Sequence, residues 1–180
     1  PVGPADALGA FAGVRPLVQA DDHADAASAD ISRRHLVRRT DRMITVTGGK
    51  LTTFRRMAAD TVDLITEAPC RTRDIALIGA GPQEARPDVP PVLWRRYGNE
   101  APVVWDLGEL RQELRQPILP QGSYYGVEAE FGLAAEAALT VEDLVDRRTR
   151  LGLVEGFREP ATRALTQLAG DRASAPELVE

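Results

Sequence analysis

The sequence predicts an α+β fragment in which a small strand–strand–helix piece precedes a mainly α-helical C-terminal domain. Three observations carry that expectation. Two short β-type runs, at Leu36-Val37 and at residues 43–47, lie one polar turn apart. After Gly48-Gly49 the apolar period changes from two to about 3.6. Beyond residues 69–91, a stretch holding five prolines, every remaining apolar pattern is helical.

The elements follow in order. Residues 8–18 are apolar and read as a short strand that breaks at Gly13 and closes at Pro16. Residues 19–30, rich in Asp, Ala and Ser, read as an exposed loop. The two β-type runs turn around Thr40-Asp41. Leu51, Phe54, Ala58, Thr61, Val62 and Ile65 then recur on one helical face over about four turns. That helix stops before Pro69. Residues 69–91 read as a linker between a domain piece at 1–68 and a helical domain at 92–180. Within the latter, a helix from Val92 ends at Gly98, and a second is expected over 103–114, stopped before Pro117. A third is expected over 124–139, with Val127, Phe131, Ala134 and Ala138 on one face. Thr140 and Asp143 have the spacing of a capping box, and a last helix runs over about 160–168. The strand–strand–helix piece is too small to close its own sheet, which suggests a fragment of a longer protein.

Composition narrows the function. A net charge of −5 argues against a dedicated nucleic-acid binder, although arginines cluster at 147, 148 and 150. Those three are expected to form salt bridges to the many nearby glutamates or to mediate contact between domains, and Trp94 and Trp105 to pack in the core. No apolar run approaches the roughly 20 residues of a membrane span. The lone Cys70 rules out an intrachain disulfide and a multi-cysteine metal site. With His23 and His35 far apart, no metal site is expected. Ile75–Pro82 imitates the start of a dinucleotide fingerprint, but Glu84 stands where the third glycine belongs and a Pro-rich loop follows, so the segment reads as linker.

One residue stands out chemically. Lys50 is the only lysine among 22 basic residues, and it lies where a glycine turn meets a helix start. Such a junction offers unpaired N–H groups and a positive dipole end, which suit an anionic or electron-rich ligand. Lysine adds a compact point charge there, unlike the arginine fork.

Three patterns surround it in order: Ala12-Gly13-Val14-Arg15-Pro16-Leu17, Ser32-Arg33-Arg34-His35, and Gly48-Gly49-Lys50-Leu51-Thr52-Thr53-Phe54-Arg55. With Leu93-Trp94-Arg95-Arg96-Tyr97-Gly98 and the run from Leu139 through Arg147-Arg148-Thr149-Arg150-Leu151, they resemble the C-terminal part of FAD-dependent, quinone-linked glycerol-3-phosphate dehydrogenase. The resemblance covers nearly the whole chain. It implies that residues 1–68 are a remnant of the flavin and substrate domain. It also implies oxidation of sn-glycerol 3-phosphate to dihydroxyacetone phosphate, with FAD as cofactor and quinone as electron acceptor. Arg15 and Lys50 take the catalytic positions of the family, and Arg15, Arg33 and Lys50 the substrate-binding ones. Gly48, Gly49, Lys50, Leu51 and Thr52 take the flavin-contacting positions. Two adjacent arginines cannot both face inward from an extended segment, and the family register selects Arg33 over Arg34. No residue is assigned as general base: His35 reads as a plain strand residue, and the base is expected in the part of the family's sequence that is absent here. The resemblance further implies a cytoplasmic protein in peripheral contact with the inner face of the membrane, with homo-oligomerisation left open. The chain by itself is expected to be inactive. Two other readings stand beside this one: a helical assembly or membrane-surface module, and part of an oxygen-using glycerol-3-phosphate oxidase.

Overall fold

The computed structural model describes residues 3–14, 35–82 and 86–170. The chain divides into two compact units, Ala12–Ile75 on the one hand and Pro1–Phe11 with Ala76–Glu180 on the other.

In the first unit, β1 (His35–Thr40) and β2 (Met43–Gly48) pair antiparallel from His35↔Gly48 to Thr40↔Met43. The two-residue turn between them places Asp41 at φ 49°, a left-handed conformation that Asp tolerates better than bulkier residues. Gly48 and Gly49 follow at φ 71° and 82° and redirect the chain out of the hairpin. Lys50 is extended, a 3₁₀ turn spans Leu51–Thr53, and α1 covers Phe54–Val62. The helix is shorter than its apolar periodicity predicts, with only looser turns through Thr66. Near its end the Thr61 hydroxyl bonds back to the Met57 carbonyl at 2.7 Å, a competitor of regular helix geometry. Among the described residues of this unit none is buried, and Leu36, Met43, Leu51, Phe54 and Ile65 are all exposed.

The second unit holds the core. The helices α2 (Pro91–Tyr97), α3 (Ala101–Asp106), α4 (Gly126–Ala135) and α5 (Arg158–Ala169) enclose two apolar clusters. Leu93, Val104, Leu114 and Val127 centre one of them, and Leu144, Val145, Ala161 and Leu165 the other. Each fully buried valine or leucine side chain contributes about 1.5–3 kcal/mol. Trp94 and Trp105 pack against the first cluster, with Trp105 edge-on to Tyr125 at 5.6 Å. Pro91 opens α2 and Gly98, at φ 54°, closes it, as punctuation of this kind predicts.

A buried ion pair ties α2 to α4. The Glu128 side chain is only 1% exposed. Arg96 Nη1 reaches both of its carboxylate oxygens at 2.8 and 3.0 Å, and the Tyr125 N–H donates to Oε2 at 2.8 Å. Burial nevertheless holds the Glu128 carboxyl above the usual carboxylate range. The Arg96 guanidinium also lies 3.7 Å from the centre of the Tyr124 ring.

The capping box forms as the sequence predicts. The Thr140 hydroxyl accepts from the Asp143 N–H at 3.1 Å, and Asp143 Oδ2 accepts from the Thr140 and Leu139 N–H groups. The helix it opens is a π turn over Asp143–Arg148, where the buried Thr149 sends both its N–H and its hydroxyl to the Leu144 carbonyl. Arg147 pairs with Asp143 four residues earlier, and the Arg150 guanidinium lies 5.8 Å from the Phe11 ring.

Two expectations fail locally. The helix expected over 103–114 stops at Asp106, and Gln112–Arg115 forms a separate 3₁₀ turn. Gly108 marks the break: a Cβ there would lie 2.5 Å from Arg115 Cγ, so the chain folds back too tightly for a continuing helix. The strand expected over 8–18 is irregular in its described part, 8–14. There the backbone meets another backbone without strand pairing: the Leu8 carbonyl accepts from the Glu155 N–H, and a Cβ on Gly9 would collide with the Leu153 carbonyl. The glycines of the fingerprint-like segment serve a turn. Gly79 O accepts from the Asn99 N–H at 2.9 Å, just past the end of α2.

Candidate functional site

Lys50 sits between the end of β2 and the 3₁₀ turn, with φ −130° and ψ 152°. Thr53 closes the turn by accepting the Lys50 N–H at 3.1 Å and donating its hydroxyl to the Lys50 carbonyl at 2.9 Å. The Lys50 backbone is thereby satisfied within the turn. Its side chain is exposed and has no ion-pair partner among the described residues. Leu51 and Thr52 are exposed as well, and no acceptor among the described residues takes their N–H groups. Gly48 is exposed, whereas Gly49 is half-buried against the unit itself. A Cβ on Gly49 would stand 2.5 Å from Met57 Sδ and 3.2 Å from His35 Cβ. Glycine is needed there twice over, for its positive φ and for the close approach.

Gly48, Lys50, Leu51 and Thr52 are thus exposed on either side of the half-buried Gly49, and together they offer a point charge and two backbone donors that have no partner among the described residues. Such a turn can hold an anionic group or the electron-rich rim of a planar ligand. Arg15, Arg33 and Arg34 lie outside the described residues, as does His23.

One pairing escaped the reading of residues alone. His35 Nε2 lies 2.7 Å from Asp60 Oδ2, linking the first residue of β1 to α1. Asp60 Oδ1 accepts in turn from Arg56 Nε at 2.9 Å. The His35 bond, with Arg56 assisting, holds the Asp60 carboxyl below its ordinary value. The Arg56–Asp60 pair has helical i,i+4 spacing and was readable from sequence. The His35–Asp60 pair is 25 residues apart and carries no local signal.

Residues 70–172 match the family described as the C-terminal domain of alpha-glycerophosphate oxidase. The chain is 38% identical over 171 residues to glycerol-3-phosphate dehydrogenase 1 of Mycobacterium bovis, covering 88% of this chain and 33% of that protein. It is 32% identical to glycerol-3-phosphate dehydrogenase 2 of Mycobacterium tuberculosis, covering 85% of this chain and 29% of the relative. The mitochondrial glycerol-3-phosphate dehydrogenase of Mesocricetus auratus is 34% identical over 191 residues, covering 92% of this chain and 26% of the relative. The chain thus spans a third or less of the length of these relatives.

Proposed function

This chain belongs to the family of glycerol-3-phosphate dehydrogenases and alpha-glycerophosphate oxidases, and on that premise we propose that it is the C-terminal part of an FAD-dependent enzyme oxidising sn-glycerol 3-phosphate to dihydroxyacetone phosphate. Residues 1–68 complete the flavin and substrate domain in this reading, and 92–180 form the helical domain. Electrons leave through quinone at the inner face of the membrane, where the enzyme is peripheral. Among the described residues no helix is long and apolar enough to cross a membrane.

The observation that carries the reading is the Gly48–Thr52 turn, exposed at every residue but Gly49, with the only lysine of the chain at its centre. That turn fits the flavin on chemical grounds. Among the described residues the Leu51 and Thr52 N–H groups and the Lys50 ammonium have no partner and could meet negative charge on the ring, and Gly48 presents no side chain in the way. FAD, when bound, supplies the two-electron acceptor for oxidation at C2 of the substrate. The chain's own residues bind and orient. Arg15 and Arg33 grip the phosphate with guanidinium forks, and Lys50 holds the reacting end in register.

The test is Lys50→Ala in the full-length protein, scored for flavin content and for glycerol 3-phosphate oxidation with an artificial acceptor. The wild type should be active and the variant should lose about 10²-fold or more, the scale of losing a positioned charge at a reacting centre. A flavoprotein that ignores glycerol 3-phosphate would sink the substrate assignment. Equal activity in the variant would sink the role of Lys50. The description of the matched family as an oxidase supports a second reading in which oxygen replaces quinone, and oxygen consumption during turnover separates the two.

A further inference from the structure

The first unit has an organisational problem. It offers a candidate site on a two-residue connection, yet among its described residues none is buried. Apolar packing within the unit is therefore poorly placed to set where Lys50 points. The angle between the end of β2 and the start of α1 has to be fixed in some other way.

His35 is the residue that meets every part of that junction. Through the β ladder it pairs with Gly48, the residue where β2 ends. Its Cβ flanks Gly49, 3.2 Å from where a side chain would begin, behind Met57 Sδ of α1 at 2.5 Å. Through Nε2 it bonds Asp60 on α1 at 2.7 Å, with the two side chains only 20% and 26% exposed. Among the described residues, the other side-chain bond between the strands and the helical segment, from Arg39 Nη1 to the Leu64 carbonyl, lies past the end of α1 and away from Lys50 in the chain. Arg56 holds the second Asp60 oxygen and keeps the carboxylate oriented, but its own side chain is 70% exposed, and a pair so open contributes little by itself.

We propose that His35 and Asp60 are positioning residues: their hydrogen bond clamps the start of β1 to α1 and so holds the Gly48-Gly49-Lys50 turn in the orientation that presents Lys50 to its ligand. The inference rests on the reading of Lys50 as a substrate- and flavin-facing group. It adds a pair of residues that touch neither ligand and act through the turn. A displacement of about 1 Å at a reacting centre can cost up to 10²-fold in rate, so a clamp of this kind has kinetic consequences without joining the chemistry.

The test uses the full-length flavoprotein and the variants Asp60→Ala, Asp60→Asn, Arg56→Ala and Lys50→Ala. Backbone hydrogen exchange of residues 49–53 reports on the turn, with α4 as the internal reference. In Asp60→Ala, exchange at 49–53 should rise about tenfold while α4 is unchanged, as for a local opening. kcat for glycerol 3-phosphate should fall about tenfold with KM moving less than about threefold, the signature of a group displaced at the reacting centre. Asp60→Asn keeps an oxygen that accepts the Nε2–H, so it should recover most of both effects, and Arg56→Ala should resemble wild type. Unchanged exchange at 49–53 in Asp60→Ala overturns the proposal, as does Asp60→Asn behaving no better than Asp60→Ala. If Asp60→Ala does not fold, His35→Ala against His35→Gln makes the same comparison from the other side of the bond, since Gln retains a donor. Lys50→Ala separates the two ideas. A loosened turn in Asp60→Ala, beside a Lys50→Ala enzyme of wild-type activity and flavin content, keeps the clamp and removes the function assigned to Lys50.

Discussion

At the scale of single residues, Gly49 and Glu128 show two different ways in which a side chain becomes indispensable. Gly49 combines φ 82° with a notional Cβ 2.5 Å from Met57 Sδ. Gly49→Ala should therefore destabilise the turn by about 1–2 kcal/mol from the left-handed conformation alone, before any clash is counted. In the full-length protein this should appear as faster exchange at 49–53 and lower flavin content; an unaffected turn would show that the close approach is relieved cheaply. Glu128 is held by its partners. Glu128→Ala leaves the Arg96 guanidinium facing a vacated apolar site, so the helical unit should lose about 3 kcal/mol, measured by urea unfolding. Glu128→Gln, which keeps the shape and an acceptor, should lose less. The glycine is recognisable in the sequence as one of a Gly-Gly pair. Nothing local in Tyr-Gly-Val-Glu announces that this glutamate is buried, because its arginine is 32 residues away.

At the scale of elements, the Thr140–Asp143 cap was legible because all its information lies within four residues. Thr140→Ala should cost about 1 kcal/mol, as loss of an N-cap does. The cap also gives the π turn a pH signature. The Leu139 and Thr140 N–H groups hold the Asp143 carboxyl below its ordinary value of 3.8. A depressed carboxylate stabilises above its unfolded pKa and loses that contribution as pH falls through the folded value. Stability of the helical unit from this source should therefore decline below about pH 4, and Asp143→Asn should remove that decline. Glu128 acts with the opposite sign. Its raised carboxyl favours folding below the unfolded value of 4.5, and that contribution is lost as pH rises through the folded value. Chemical denaturation of the wild type and Asp143→Asn between pH 2 and 6 separates the two. What the cap could not reveal is the kind of helix it opens. The π geometry depends on the buried Thr149 bonding to Leu144, and on Gly132 of α4, where a Cβ would lie 3.0 Å from Leu144 Cδ2.

At the scale of the whole molecule, the two units differ in kind. The helical unit buries two apolar clusters, while the hairpin and α1 leave their described apolar side chains only partly covered or exposed. A lone two-stranded hairpin is marginal in water. In the 180-residue chain by itself, amides of α2, α4 and α5 should be protected from exchange, and those of β1 and β2 should exchange rapidly. Slow exchange throughout the hairpin would contradict this. Consistent with the prediction, the chain alone should not retain FAD, and tight stoichiometric flavin binding would overturn that expectation.

What the sequence determined by itself was written in short-range code: the two strands and their turn, the glycine junction before α1, the proline and glycine that bound α2, and the capping box. These rest on periodicity, turn chemistry and hydrogen bonds between near neighbours, which one chain displays without knowing its fold. The family resemblance was legible for the same reason, in contiguous runs around Lys50 and Arg147. The tertiary structure alone decided that His35 meets Asp60, that Arg96 meets Glu128, and that the helix expected over 103–114 breaks at Gly108 against Arg115. Each of these joins elements, or turns the chain back on itself, through side chains whose partners are chosen by packing in space. Separations of 25 and 32 residues leave no periodic trace in the sequence.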